Sequence, residues 1–336
     1  MTTTPENEDI TEVSLSRRFF RPQTLISFAV AFVILYFLLT RMEIDMEETR
    51  RILGDTDLFL ISLSFLLYYL TFPLRGWRWR VLLRNVGFDD PPSTRDLTEI
   101  TFLSYFVNNI VPAKLGDVYR GYLLKRSAGL SFSKSMGTIV SERIIALIVL
   151  FVMVGITSLI GFHGHLPETI LQTLGIALAL VLVAAVGLLA MKGGRKFIQN
   201  ILPARLRPLY AHFEEGLFLS FRRFPLLLLL TILIWGMEGG RFFFAASALN
   251  LAIDPMTSLF IALGSALLTT LPFTPSGLGI VESAIVAVLL LASSLGLVQE
   301  MSKSQALSVA LLDRLVCYWG LILLGLVVYI LSRKTK

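Results

Sequence analysis

The residues able to do chemistry in this chain come in matching copies, each set in apolar surroundings. Arg78, within Gly76-Trp77-Arg78-Trp79, precedes Pro112-Ala113-Lys114-Leu115-Gly116; Arg241, within Gly239-Gly240-Arg241-Phe242, precedes Pro275-Ser276-Gly277-Leu278-Gly279. A constant offset of 163 residues relates Arg78 to Arg241, Pro112 to Pro275 and Gly116 to Gly279. Glu142-Arg143 and Asp313-Arg314 echo each other at an offset of 171, so the second copy holds eight extra residues between its elements. Ordered matches at a fixed period mark an internal duplication.

The charges set the chemical problem. An ionised side chain at the centre of a membrane helix costs roughly 2.5 to 3.5 kcal/mol on insertion scales. Four or five left unpaired would consume the whole stability of a domain, about 5 to 15 kcal/mol. They must therefore be paired or hydrated. Glu238 stands one turn before Arg241, where an i, i+3 pair can form on one face. Within Glu142-Arg143 and Asp313-Arg314, consecutive residues point to different sides of a helix and cannot neutralise each other. An ion-pair network that fixes helix packing answers the requirement; so does a polar cavity for a charged headgroup. Helices starting after the proline breaks would aim free N–H groups and positive dipole ends at an anion such as phosphate. Lys114 and Arg120 flank the first break, with Thr274, Ser276 and Glu282 around the second. Guanidinium groups combined with backbone donors suit a phosphate diester.

The elements that must position these groups follow from composition. The chain has 336 residues, 55% of them hydrophobic, with 24 Phe and a mean hydropathy of +0.73. That is the make-up of a polytopic α-helical membrane protein. Six runs approach the roughly 20 residues needed to cross a hydrocarbon core: 23–40, 58–74, 138–161, 169–191, 225–250 and 305–331. Two further segments, 97–111 and 257–271, are too short to cross and run into Pro112 and into Pro272 and Pro275. Proline removes a backbone donor and bends the residue before it out of the helix, so both are expected to be re-entrant or broken-helix hairpins, with Gly116, Gly277 and Gly279 completing the breaks. Irregular backbone at that depth requires protein or a water-filled cavity around it. The apolar arm 278–295 that follows the second break is itself nearly long enough to cross.

The organisation expected is a polar cytoplasmic tail at 1–22 and one transmembrane domain at 23–335, with repeats at about 58–161 and 225–331 joined through a basic, amphipathic cytoplasmic loop at 192–223. Basic residues set orientation. Arg17, Arg18 and Arg21, then Arg75 to Arg84, then the loop at 192–223, then Arg333 to Lys336 all fall on one side if both termini are cytoplasmic. The two repeats then run in opposite directions, the usual construction of alternating-access transporters with a site between the halves. The Arg75-Gly76-Trp77-Arg78-Trp79-Arg80 stretch also fits an interfacial anchor, and 204–222 fits a helix lying in the interface.

Other chemistries are weakly represented. The net charge of +6 is a matter of orientation, with no nucleic-acid partner implied. One cysteine, Cys317, allows no intrachain disulfide. His163 and His165 have no further ligand nearby, so no metal is expected, and no nucleotide loop, nucleophile motif or cofactor motif is found. Active transport would draw on a gradient.

Taken together, Arg75-Gly76-Trp77-Arg78-Trp79, the run Asn108 to Arg120, Glu142-Arg143 and Pro275 to Glu282 resemble the transmembrane region of lysylphosphatidylglycerol synthases, the flippase-like domain family. The resemblance covers most of residues 20 to 335. It implies translocation of an anionic or aminoacylated phospholipid or related lipid across the inner membrane, and a polytopic α-helical fold. In bifunctional members a soluble transferase domain follows; here the chain stops at Lys336, so lysyl transfer is not expected. The residues expected to bind substrate are Arg78, Lys114, Asp117, Arg120, Glu142, Arg143, Glu238, Arg241, Glu282, Asp313 and Arg314. The alternatives are an intramembrane enzyme that modifies a lipid headgroup, since some members are fused to glycosyltransferases, and an accessory subunit of a lipid or glycolipid synthesis complex. A lipid-synthesis enzyme partner or a homo-oligomer fits these readings.

Overall fold

A computed structural model describes residues 22–41, 44–111, 114–161, 168–269 and 274–334. Pro112, the tail 1–21, His163, His165 and Pro272 lie outside the described residues. The elements are α1 (Pro22–Arg41), α2 (Met46–Gly54), α3 (Leu58–Asn85), α4 (Thr94–Ile110), α5 (Leu115–Ala128), α6 (Phe132–Gly161), α7 (Glu168–Gly193), α8 (Arg195–Ile201), α9 (Arg207–Leu219), α10 (Phe224–Ser247), α11 (Pro255–Leu268), a 3-10 turn (Pro275–Gly277), α12 (Ile280–Ser294), α13 (Lys303–Arg314), a π turn (Leu315–Trp319) and α14 (Gly320–Leu331). No strand occurs among the described residues. Five helical stretches among them are long and apolar enough to cross a membrane: Leu58–Asn85, Phe132–Ile160, Phe224–Ser247, Pro275–Ser294 and Lys303–Leu331. The protein is a multi-pass α-helical membrane protein.

Short polar residues set the helix starts. Asp57 accepts from the N–H groups of Phe59 and Leu60, and Asp254 from those of Met256 and Thr257, as N-cap carboxylates do. Ser302 and Gln305 close a capping box on α13.

The duplication seen in sequence reappears as mirrored packing. In the first half α3 packs on α4, α4 on α5, and α6 on both α3 and α5; in the second, α10 packs on α11, α11 on α12, and α13 on both α10 and α12. Contacts between halves are mirrored too: α14 lies on α4, and α6 on α11. Gly76 lets α3 approach α4 so closely that a Cβ there would overlap Thr98, and its counterpart Gly239 does the same for α10 against Leu259 of α11. Trp79 and Phe242, also 163 apart, are both fully buried, in two separate apolar clusters.

Helix α3 pairs along its length with α10 and the turn that precedes it. Ser64 donates to the Arg241 carbonyl at 2.8 Å, Arg75 to Glu238 at 2.8 Å, Arg78 to Thr231 at 2.9 Å, and Asn85 to the Ser220 carbonyl at 2.9 Å. The partner numbers fall as the α3 numbers rise, so these equivalent helices are antiparallel, and the second repeat is inverted relative to the first. Their contacts are reciprocal: Arg78 meets Thr231, while Arg241 lies over the ring of Tyr68, the residue 163 before Thr231. Arg75 meets Glu238, its own counterpart. Such self-complementary contacts define a two-fold relation, with the axis passing between Arg75 and Glu238.

Three expectations change. The span read as 58–74 continues to Asn85; Pro73 lies inside α3 without ending it, because neighbouring helices hold a membrane helix together where a proline removes one bond. The Trp-Arg stretch is therefore no simple interfacial belt: Trp77 is exposed, but Arg75, Arg78 and Trp79 are buried, and the Trp79 indole donates to Thr138 at 3.1 Å. The amphipathic segment at 204–222 is not partnered by the interface alone. Its helix α9 crosses α6 in close contact, with no room for a Cβ at Gly137 or Gly216, and it buries Glu214 and Leu217.

Candidate functional site

The two breaks have the same local form. Before α5, Val111 is extended and Lys114 takes the left-handed conformation at φ 55°. Before α12, Thr274 is extended and Ser276 is left-handed at φ 46°. Residues with side chains rarely adopt this conformation, and it concentrates where a site imposes it. The first N–H groups beyond each break find side-chain acceptors: Gly116 donates to Asn108 Oδ1 at 2.8 Å, and Gly279 to Glu282 Oε2 at 2.6 Å. A Cβ at Gly116 would overlap the Ser104 carbonyl and Asn108, which explains the glycine.

The charged groups pair in a repeated pattern. In the first repeat Arg78 binds Glu142 at 2.8 Å, and Arg143 makes a two-pronged contact with Asp117 at 2.7 and 3.1 Å. In the second, Arg241 binds Asp313 through a very short contact, and Arg314 binds Glu282 at 2.8 Å. Consecutive Glu-Arg and Asp-Arg residues thus reach different partners, as their helical geometry requires. The expected Glu238–Arg241 pair forms at 3.1 Å, and Glu238 is shared with Arg75. Arg314 also donates to the Ser276 carbonyl at 3.0 Å, tying the second break to the last span.

One cavity of about 350 Å³ lies between the halves, within the usual size range of small-ligand sites. Lys114, Asp117, Arg143, Glu238, Arg241, Asp313 and Arg314 line it, so seven of the expected residues share one wall. Gly116, Gly277, Gly279 and Pro275 shape the breaks beside it, and Glu282 supports Arg314 from behind. Arg78, Arg120 and Glu142 are brought together elsewhere, behind the wall. Arg120 Nη2 lies 2.8 Å from Glu142, and its guanidinium stacks on Trp79 at 3.7 Å. This trio joins three helices of the first repeat, reaches Thr231 of the second through Arg78, and does not line the cavity.

Several wall residues lie outside the set expected from sequence. Arg75 is the chief one; its offset of 163 from Glu238 was a usable signal, because it placed opposite charges at equivalent positions. Tyr105 accepts from Arg75 at 2.6 Å, and Tyr68, Trp235 and Cys317 also contribute to the lining. Asn108 and Asn109, noted only as break residues, line it as well. No single feature of the sequence distinguishes these from ordinary core aromatics and amides. Among the described residues no group of His, Cys, Asp or Glu is arranged to hold a metal.

Comparison with known proteins agrees with this architecture. Residues 24–325 match the family described as the lysylphosphatidylglycerol synthase TM region. The chain is 34% identical over 233 residues to the UPF0104 membrane protein MJ1078 of Methanocaldococcus jannaschii, covering 68% of this chain and 95% of that one. It is 25% identical over 315 residues to the UPF0104 membrane protein PH1989 of Pyrococcus horikoshii, covering 86% and 91%. It is also similar to the glycosyltransferase AglD of Haloferax volcanii, 24% identical over 313 residues, covering 81% of this chain and 50% of AglD.

Proposed function

This chain belongs to the lysylphosphatidylglycerol synthase transmembrane-region family, and from that membership we propose that it translocates a lipid, taking the headgroup into the chamber between its two halves. The observation that carries the reading is the mirrored ion pairing: two antiparallel copies of one unit supply the same Arg–acid contacts, and three of these four pairs border a shared polar cavity. Inverted repeats with broken helices place substrate sites at the interface between repeats and change access by moving one repeat against the other. The asymmetry of the structure supports this. Arg241–Asp313 faces the chamber while the equivalent Arg78–Glu142 is closed off, so the two halves stand in different states of one arrangement. The distribution of Lys and Arg supports cytoplasmic termini and a cytoplasmic loop at 192–223.

The test is leaflet exchange in liposomes that carry a fluorescent phospholipid, comparing wild type with Arg241→Ala. Wild-type protein is expected to expose inner-leaflet label to an external quencher, and the variant to do so at least tenfold more slowly. Protein-independent bleaching, equal in both, refutes the proposal. The similarity to AglD favours a second reading, in which this membrane unit serves or forms part of a glycolipid-building enzyme. A headgroup change detected by mass spectrometry, without leaflet exchange, selects it.

A further inference from the structure

The chamber is electrostatically unbalanced. Among the described residues its wall holds five cationic side chains, Arg75, Lys114, Arg143, Arg241 and Arg314, against three carboxylates, Asp117, Glu238 and Asp313. The surplus is two positive charges, or one when Glu282, which binds Arg314 from behind, is included. A surplus charge held away from bulk water is costly unless a counter-charge meets it.

The free groups have one polarity. All eight carboxylate oxygens around the chamber are already engaged. Arg143 takes both oxygens of Asp117, Arg75 and Arg241 take those of Glu238, Arg314 and the Gly279 N–H take those of Glu282, and Arg241 and the Cys317 thiol take those of Asp313. No carboxylate oxygen is left unpaired, so an ammonium group would have to share one with a guanidinium, a thiol or a backbone N–H. Aromatic faces could serve instead, but Tyr105 lies beneath Arg75 and Arg143, and Tyr68 beneath Arg241. Trp235 alone among the chamber's described aromatics does not already face a guanidinium. On the donor side, the Lys114 ammonium lines the chamber with no hydrogen bond or ion pair among the described residues, although its backbone carbonyl accepts from the Asp117 N–H. Arg143 keeps 37% of its side-chain surface open. Lys114 is held at the first break by its left-handed backbone, with Asp117, Arg143 and Arg314 as its charged neighbours.

We infer that the chamber selects a headgroup whose only charge is a phosphate, bound by Lys114 with Arg143 and Arg314, over one that also carries an ammonium. The inference rests on the lipid-translocation reading and narrows it, choosing the anionic lipid over its aminoacylated form. An aminoacyl headgroup would bring an ammonium into a space that offers it a single indole face and no free carboxylate. A phosphate answers the surplus charge and takes the unspent donors, and charge-assisted hydrogen bonds of this kind are the strong ones.

The test is competitive retention by native mass spectrometry of the purified full chain, with phosphatidylglycerol and lysyl-phosphatidylglycerol of matched acyl chains, and glycerol 3-phosphate as a soluble competitor. Wild type is expected to retain phosphatidylglycerol about tenfold over the lysylated lipid. Lys114→Gln should lower that retention about tenfold, leave the lysylated lipid unchanged and be rescued by Lys114→Arg. Equal or better retention of the lysylated lipid by wild type overturns the inference, and this arm decides the matter even if Lys114→Gln fails to fold. Glycerol 3-phosphate binding as tightly as the lipid would assign the site to a soluble phosphate and overturn the lipid reading. Leaflet exchange measured in parallel separates the two claims. Selective retention without exchange sinks translocation alone, while exchange that is as fast for the lysylated lipid sinks selectivity alone.

Discussion

Replacing Glu238 with glutamine removes the carboxylate that faces its counterpart Arg75 across the two-fold axis and serves two arginines, Arg75 at 2.8 Å and Arg241 at 3.1 Å. With charge centres about 4 Å apart and an effective dielectric near 20, each attraction is worth about 4 kcal/mol before desolvation is counted. Charge hydration regained on unfolding offsets much of this. The net loss expected on breaking such a buried pair is about 3 to 5 kcal/mol. Arg75→Gln should cost less, because Glu238 keeps Arg241 and Arg241 keeps Asp313. In a double-mutant cycle, Arg75→Gln with Glu238→Gln should show a coupling of about 1 to 3 kcal/mol. The exchanged pair, Arg75→Glu with Glu238→Arg, gives a sharper test. It places a glutamate one turn before Arg78, as Glu238 now stands one turn before Arg241, so the inverted symmetry predicts recovery of most of the lost stability. The assay is reversible unfolding of the purified protein in mixed micelles, followed by far-UV circular dichroism. Additive single effects, within about 0.5 kcal/mol, together with an exchanged variant no more stable than Glu238→Gln, would refute the axis and the symmetry built on it.

Further outcomes follow from the same structure. Gly76→Ala and Gly239→Ala should each cost about 1 to 3 kcal/mol, the usual penalty of overpacking, since a Cβ would overlap Thr98 or Leu259; Gly264→Ala, with open space around it, should be neutral or stabilising in the same thermal unfolding assay. At the carboxyl end Lys334 bridges Asp96 at 2.8 Å and Glu99 at 2.5 Å. Hydrogen bonds from Lys334 and Ser93 hold the Asp96 carboxyl below its usual range, and Asp96 and Glu99 raise the Lys334 ammonium despite its partial burial. The carboxylate contribution is present above about pH 3.9 and lost as pH falls through the lowered value; the ammonium contribution is present below about pH 10.4 and lost as pH rises through the raised one. Amide exchange of the segment around Ser332 should therefore be slow between those limits, once corrected for intrinsic rates, and faster beyond each; a flat corrected profile would show that the clasp contributes nothing.

The sequence was most legible where charge had to be explained. Arg241, Asp313 and Arg314 stand in apolar runs, so their need for partners could be read without coordinates, and Glu238 could be assigned to Arg241 from helical spacing alone. The breaks were legible because proline and glycine act locally. The extent of α3 was not. Pro73 and the arginines after it imitate the end of a span, and only packing against α10 and α4 reveals that the helix continues. The division of the charged residues between a chamber and a closed trio was equally hidden. Arg78 and Arg241 stand at equivalent positions of the duplication, and which of them faces the cavity is set by tertiary packing. Tyr105 and Trp235 enter the wall through tertiary placement, which leaves no mark in local spacing.

The π turn in the last span has a consequence of its own. Its five residues, Leu315–Trp319, leave the ladder irregular, and the carbonyls of Val316, Cys317 and Tyr318 receive Tyr69, Tyr68 and Asn109 from the opposite half. One additional residue swings everything downstream by about 100° around the rod. The rod is thus spliced from two facings, with Asp313 and Arg314 turned to the chamber above the splice and Gly325 seated against Phe106 of α4 below it. A straight helix could satisfy one of those facings but not both. The phenols and the amide that hold the splice belong to the first repeat, so one half of the duplication holds in register an irregularity on which the other depends.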